Sequence, residues 1–251
     1  MHSNRKGITL RRLINKSIGG LGFGYDFDPI NKDDWIKKAK SSIEQLILDY
    51  ENGVTSDENI IDGIDINYEH ISSSVDDFSN WIGEIIKQLK EDPNLTEPPI
   101  RGPSTILLLV QQTQEPQTLI PWLRESMNVV SIAPTERLRS HYLKLYRDNQ
   151  DNIDWIDYKF YNQFFKSTDD FVDLFYQLVS DYGTPYKLLA GVNTEMSIPP
   201  TTRNQDLFVG GCSILINRAS LAGVFVWDAN ASTPTYSLEV DLQKLLTKSD
   251  Y

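Results

Sequence analysis

One stretch, Ile60 to His70, limits the possible folds of this chain more than any other. Apolar and polar side chains alternate through it, and in a strand residues two apart share a face. Asp65, Asn67 and Glu69 therefore line one face, and Ile64, Ile66 and Tyr68 line the other. Three acidic or amide groups on a buried face are costly unless that face lines a site. A strand that is apolar outside and acidic inside suits the inner wall of a parallel barrel with helices packed around it. Glu69 then sits at the carboxyl end of the strand, where such barrels keep their chemistry. The plainer alternative is an ordinary strand with a solvated acidic face.

The rest of the chain is compatible with a barrel. Its 251 residues fit one large domain, and a parallel α/β barrel takes about 250. A hydrophobic share of 40% is enough for a core. The net charge of −11 disfavours nucleic acid and anionic membranes, which need a basic footprint, and is compatible with a neutral polysaccharide. Cys212 is the only cysteine, so no intramolecular disulfide can form. It reads as a small buried helix residue rather than a nucleophile. His2, His70 and His141 are too scattered to propose a metal site, and no cofactor motif is present. No apolar run is long enough to span a membrane. Met1 to Lys6 lacks the apolar core of a signal peptide, and localisation stays open. Sequons at Asn15, Asn94 and Asn230 matter only in a secreted chain.

Strand-like and helix-like segments alternate along the chain. Ile8 to Gly20 ends in Ser17-Ile18-Gly19-Gly20, a strand closing in a glycine turn that lets backbone approach a ligand; a plain glycine loop is the alternative. Asp33 or Asp34 caps a helix from about Trp35 to Tyr50, and a polar loop comes next over 51–59. Ser72–Asp77 starts the second helix, Val75 to Lys90, with Phe78, Trp81, Ile82, Ile85, Ile86 and Leu89 as its core stripe. Prolines 93, 98, 99, 103, 116 and 121 interrupt the segment after this helix, around the apolar run Thr105–Val110. Then come a strand at Val129–Pro134, a helix from about Glu136 to Arg147, a strand over Ile153–Gln163 and a helix over Thr168–Tyr182. A strand at Lys187–Val192, a helix at Asn204–Asn217, a strand at Gly223–Asp228 and a closing helix at Leu238–Leu246 complete the chain.

The central stretch resembles the signature of the family 18 glycoside hydrolases, the chitinase family, written Asp-Gly-x-Asp-x-Asp-x-Glu. Asp62, Gly63, Asp65 and Glu69 match, and Asn67 stands where the third Asp is expected. Asp65 to His70 is most similar to plant class III chitinases of the bulb type, near narbonin and the ruBisCO-associated proteins. The resemblance implies a (β/α)8 TIM barrel, with residues 1–251 forming a single chitinase-like domain. Ser17–Gly20 is similar to the Ser-x-Gly-Gly motif that closes the family's third strand. The first two strands are then missing, which leaves two open edges. Either the chain is a truncated gene product or another segment closes the gap. Residues at about 93–127 become an insertion, poorly ordered apart from Ile106–Val110. A rival reading makes Thr105–Val110 a genuine barrel strand with Leu119–Ser126 as its helix.

The resemblance also implies a chemistry, substrate-assisted retaining hydrolysis of N-acetylglucosamine polymers. Glu69 would be the general acid. The residue at 67 would orient the sugar's acetamido group, Asp65 would stabilise it, and Tyr161 would hold the acetamido carbonyl. Trp227 would floor the central sugar subsite, with Gly19, Gly20 and Gln163 also on the substrate side. Asn67 can still accept a hydrogen bond but supplies no negative charge, and loss of such a preorganised partner costs about 10²–10³ in rate. Lys159 occupies an inward position where class III relatives usually have glutamine. It would pair with Asp65 or Glu69 and hold that carboxylate ionised, which harms an acid catalyst, or else snorkel to the rim. Two readings result. One is a weakened hydrolase acting on chitin or N-acetylglucosamine oligosaccharides. The other is a catalytically silent lectin, storage or accessory protein. Neither needs a cofactor or metal, and oligomeric state stays open.

Overall fold

The computed structural model describes residues 8–20, 26–53, 63–92, 105–112, 129–194, 205–218, 220–227 and 236–247. Among the described residues seven strands form a ring: β1 (Ile8–Gly20), β2 (Gly63–Tyr68), β3 (Thr105–Gln112), β4 (Val129–Ile132), β5 (Trp155–Tyr158), β6 (Leu188–Asn193) and β7 (Gly223–Trp227). Around the ring the order is β1-β2-β4-β5-β6-β7-β3. The pairs from β1 through β7 by way of β2, β4, β5 and β6 are all parallel. These six strands form an incomplete TIM barrel. The helices that follow them in the chain are α1 (Lys32–Gly53), α2 (Val75–Lys90), α3 (Arg139–Asn149), α4 (Thr168–Tyr182), α5 (Gln205–Asn217) and α6 (Ser237–Thr247).

The gap expected at the open edges is closed from within the chain. Strand β3, which contains the apolar run Thr105–Val110, lies antiparallel between β1 and β7. It is a genuine barrel strand, as the rival reading had it, but reversed. Its register runs from Thr105 opposite Asn15 to Gln112 opposite Ile8, so it ends at the level where β1 begins. One reversed strand thus stands where an eight-stranded parallel barrel has two. It satisfies the backbone donors and acceptors that an open edge would expose. The flanking parts of the expected insertion, including Leu119–Ser126, lie outside the described residues.

Helix ends obey their capping chemistry. The Asn31 side chain accepts the Asp34 N–H at 2.9 Å, so α1 starts before Trp35 and Asn31, not Asp33 or Asp34, is the cap. The two aspartates fall in the first turn, where negative charge complements the helix dipole. Ser74 Oγ accepts the Asp77 N–H at 3.0 Å and fixes the start of α2. Ser167 and Asp170 form a reciprocal capping box on α4. The core lies between the ring and the helices. Ile64 and Ile66 of β2, Ile132 of β4 and Ile156 of β5 pack against Phe78, Ile82 and Ile86 of α2 and Tyr142 and Leu145 of α3, among others. Cys212 is buried in α5 and unpaired, as a core residue should be, and burial pushes its thiol well up.

Two expectations need correction. The strand expected over Ile153–Gln163 covers only Trp155–Tyr158, and Phe160–Asn162 forms a 3-10 turn, so Tyr161 lies beyond the strand. Asn15 is wholly buried in β1, where a sequon cannot carry a glycan in the folded chain. Asn94 and Asn230 lie outside the described residues.

Candidate active site

The inner face of β2 builds the site. Gly63 is required where it stands, because a Cβ there would lie 1.8 Å from the Val129 carbonyl oxygen of β4. The two strands approach closely, and the polar side chains above are brought level with their neighbours. Register places Ser17 of β1 and Ser131 of β4 on either side of Asp65. Both serines donate to it, Ser131 Oγ to Oδ1 at 2.9 Å and Ser17 Oγ to Oδ2 at 3.1 Å. Asn15 Nδ2 in turn donates to Ser131 Oγ at 3.1 Å. Burial raises the Asp65 carboxyl above its ordinary value, opposed by the Ser131 bond, the Lys159 charge and the Ser17 bond.

One level up, Asn67 is almost fully buried, and its Oδ1 accepts a hydrogen bond from Lys159 Nζ. The same ammonium donates to Glu69 Oε1 at 2.6 Å. The Lys159 side chain is 0% exposed and that of Glu69 22%, so the lysine is inside and has not snorkelled to the rim. Burial lowers the Lys159 pKa, against the pull of Glu69 and Asp65. On the other side of β2, Gly19 faces Asn67 in register. Its φ of 101° and a Cβ position 2.9 Å from the Asn67 carbonyl oxygen leave room only for glycine. Gly20, at φ 93°, accepts the Glu69 N–H at 3.3 Å. From α3, Tyr142 Oη donates to the Tyr68 carbonyl at 2.9 Å and holds the carboxyl end of the strand.

Glu69 opens onto a cleft of about 390 Å³ lined by Glu69, His70, Thr135, Glu136, Arg137, Asn162 and Gln163. The Arg137 guanidinium donates to the Glu69 carbonyl, and Gln163 Nε2 donates to Tyr158 Oη at 3.4 Å. Tyr161 and Trp227 pack against the buried pair Leu189 and Phe225. The structure therefore brings Asp65, Asn67 and Glu69 together with Gly19 and Gly20 behind them. It puts Gln163 in the same cleft as Glu69 and sets Tyr161 and Trp227 against a buried apolar pair.

Three residues escaped notice as part of this site. Asn15 and Ser131 complete the hydrogen-bond chain to Asp65. Asp157 is fully buried on β5, and neither carboxyl oxygen has a hydrogen-bond partner. Ser131 stands near it but directs its proton to Asp65. Burial and the charge of Asp65 push the Asp157 carboxyl well above its ordinary value. Its signal was present, since Asp157 lies two before Lys159 and shares its inward face. Among the described residues, no cluster of His, Cys, Asp and Glu could hold a metal ion. None of their helices is long and apolar enough to cross a membrane.

No family model matches the chain. It is 27% identical over 251 residues to Chitinase 1 of Tulipa saxatilis subsp. bakeri, a match spanning 98% of this chain and 65% of that protein. It is 30% identical over 91 residues to the RuBisCO-associated protein of Glycine max, spanning 35% of this chain and 29% of that protein. The chain thus covers less than two thirds of the length of either relative. The catalytic domain of a family GH18 chitinase from the fern Peteris ryukyuensis superposes with a TM-score of 0.69 at 26% identity, over 92% of this chain and 72% of that one. In sequence and fold this chain is thus similar to plant family 18 chitinases, on an incomplete TIM barrel.

Proposed function

We propose that residues 1–251 form a single chitinase-like domain that binds N-acetylglucosamine polymers and hydrolyses them slowly. The observation that supports it is Glu69, which leaves the buried polar face of β2 and opens onto the cleft at the carboxyl end of the barrel. In this reading a Glu69 proton passes to the glycosidic oxygen while the sugar's own acetamido oxygen attacks the anomeric carbon. The leaving sugar departs, a cyclic oxazolinium-like intermediate forms, and water opens it with Glu69 taking the proton back. Asn67 orients the acetamido N–H, Asp65 supports Asn67, Tyr161 holds the acetamido carbonyl, and Trp227, Gly19, Gly20 and Gln163 complete the sugar site. Asn67 lacks the charge that would stabilise the intermediate, which costs about 10²–10³ in rate.

A second reading, a silent sugar-binding member, is favoured by Lys159. Its bond to Glu69 makes that carboxylate an acceptor, whereas a general acid must donate. Hydrolysis of a chromogenic chitotrioside by the parent chain and by Glu69→Gln separates the two. Turnover that Glu69→Gln abolishes establishes the hydrolase. Saturable chitotriose binding without turnover establishes the silent member. Absence of binding ends both.

A further inference from the structure

Lys159 reaches the site from a pinned turn. Strand β5 has ended, and Lys159 adopts φ −80°, ψ 74° ahead of Phe160–Asn162. Its N–H donates to the Pro134 carbonyl at 3.3 Å, and its own carbonyl accepts the Asn162 N–H at 3.1 Å. Backbone on both sides is thus tied down, and the side chain runs inward to end between Asn67 Oδ1 and Glu69 Oε1. A sugar carrying an N-acetyl group needs two things from these residues: an acceptor for its amide N–H and a carboxyl group for the glycosidic oxygen. The ammonium already uses both.

We propose that Lys159 is an internal occupant of the sugar's amide position, and that it limits ligand binding and turnover more than Asn67 does. This rests on the reading of the site as one for N-acetylglucosamine polymers. A sugar can enter only by displacing an amine that is fully buried and held by a charge-assisted bond. Restoring the acidic residue alone does not remove the obstacle. An aspartate at 67 offers the ammonium a second negative partner and holds it more firmly. A glutamine at 159 is shorter and uncharged, and it releases Glu69 from the ion pair.

The test compares the parent chain with Asn67→Asp, Lys159→Gln, Lys159→Met and the Asn67→Asp/Lys159→Gln double variant. Chitotriose affinity is measured by calorimetry, turnover with a chromogenic chitotrioside, and folding by near-ultraviolet circular dichroism. Lys159→Met keeps an unbranched apolar stem without a donor, so the two lysine variants check one another. Both should bind chitotriose about tenfold more tightly than the parent, the effect of freeing one good acceptor. Asn67→Asp alone should bind no better, and the double variant should gain more turnover than the product of the single effects. If Asn67→Asp alone gains turnover while the folded lysine variants bind like the parent, the sugar reading stands and the occupant is refuted. If no chain binds chitotriose, the sugar reading falls and the occupant falls with it.

Discussion

Asp65 and Asp157 both have 0% exposure inside the same ring, yet their situations are opposite. Asp65 accepts from two serine hydroxyls, and Asp157 has no hydrogen-bond partner at either oxygen. The difference lies in strand register. Asp65 is level with Ser17 on one neighbour and Ser131 on the other. Asp157 is level with Leu189 on β6, and on its β4 side Ser131 and Ile132 pair with Trp155 and Ile156 instead. Burial of a carboxyl is tolerable where adjacent strands present donors at its own height, and costly one strand further round, where they do not.

Four substitutions would break or sharpen this contrast. The largest effect is expected from Asp65→Ala, which leaves the buried Ser131 and partly buried Ser17 hydroxyls without their acceptor and removes a charge that favours the Lys159 ammonium. It should cost about 3 kcal/mol, read as a lower urea midpoint at unchanged slope. A loss under about 1 kcal/mol would mean that the serines do not stabilise a charge.

Asp157→Asn should act in the other direction, raising stability at neutral pH by about 2 kcal/mol. The sign comes from the raised value in the fold. The folded chain keeps a proton that the unfolded chain has released. The contribution is therefore complete below the ordinary carboxylate range and is lost as pH rises from that range towards the raised value. Urea midpoints at a series of pH values should fall with rising pH in the parent and fall less in Asp157→Asn. Parallel curves would show that Asp157 is ionised in the fold.

Ser131→Ala removes a donor to Asp65 and an acceptor for Asn15 together and should cost about 1.5 kcal/mol. Ser17→Ala removes only the longer, partly buried bond and should cost about 0.5–1 kcal/mol. A reversed order for the two serines in thermal or chemical melts would indicate that Ser17, not Ser131, is the main support of Asp65.

How much of this was legible in the sequence depended on the range of the interactions. The two faces of β2 and the start and end of α2 and α4 could all be read from alternation, caps and helical spacing. Each is decided within a few residues, whereas the course of Lys159 stayed open between pairing inside and snorkelling to the rim. Recognition of Asp62 to Glu69 placed Glu69 at the strand's carboxyl end. The end of β5 at Tyr158 was not legible, because Tyr161 and Asn162 leave the ladder for a turn whose bonds include one to Pro134 on another loop. Asn15 carried a sequon that says nothing of a strand whose neighbour, Ser131, lies 116 residues away.

The sequence by itself determined the family likeness, the polar inner face and the residues Asn67 and Lys159 that depart from the pattern, because side-chain identity and period-two alternation are local properties. Tertiary structure alone decided the rest. It chose the reversed β3 to seal the ring between β1 and β7, since unpaired backbone edges can be satisfied only by whichever segment reaches them in space. It also decided which buried aspartate finds serines at its own level, and that a single lysine joins Asn67 to Glu69.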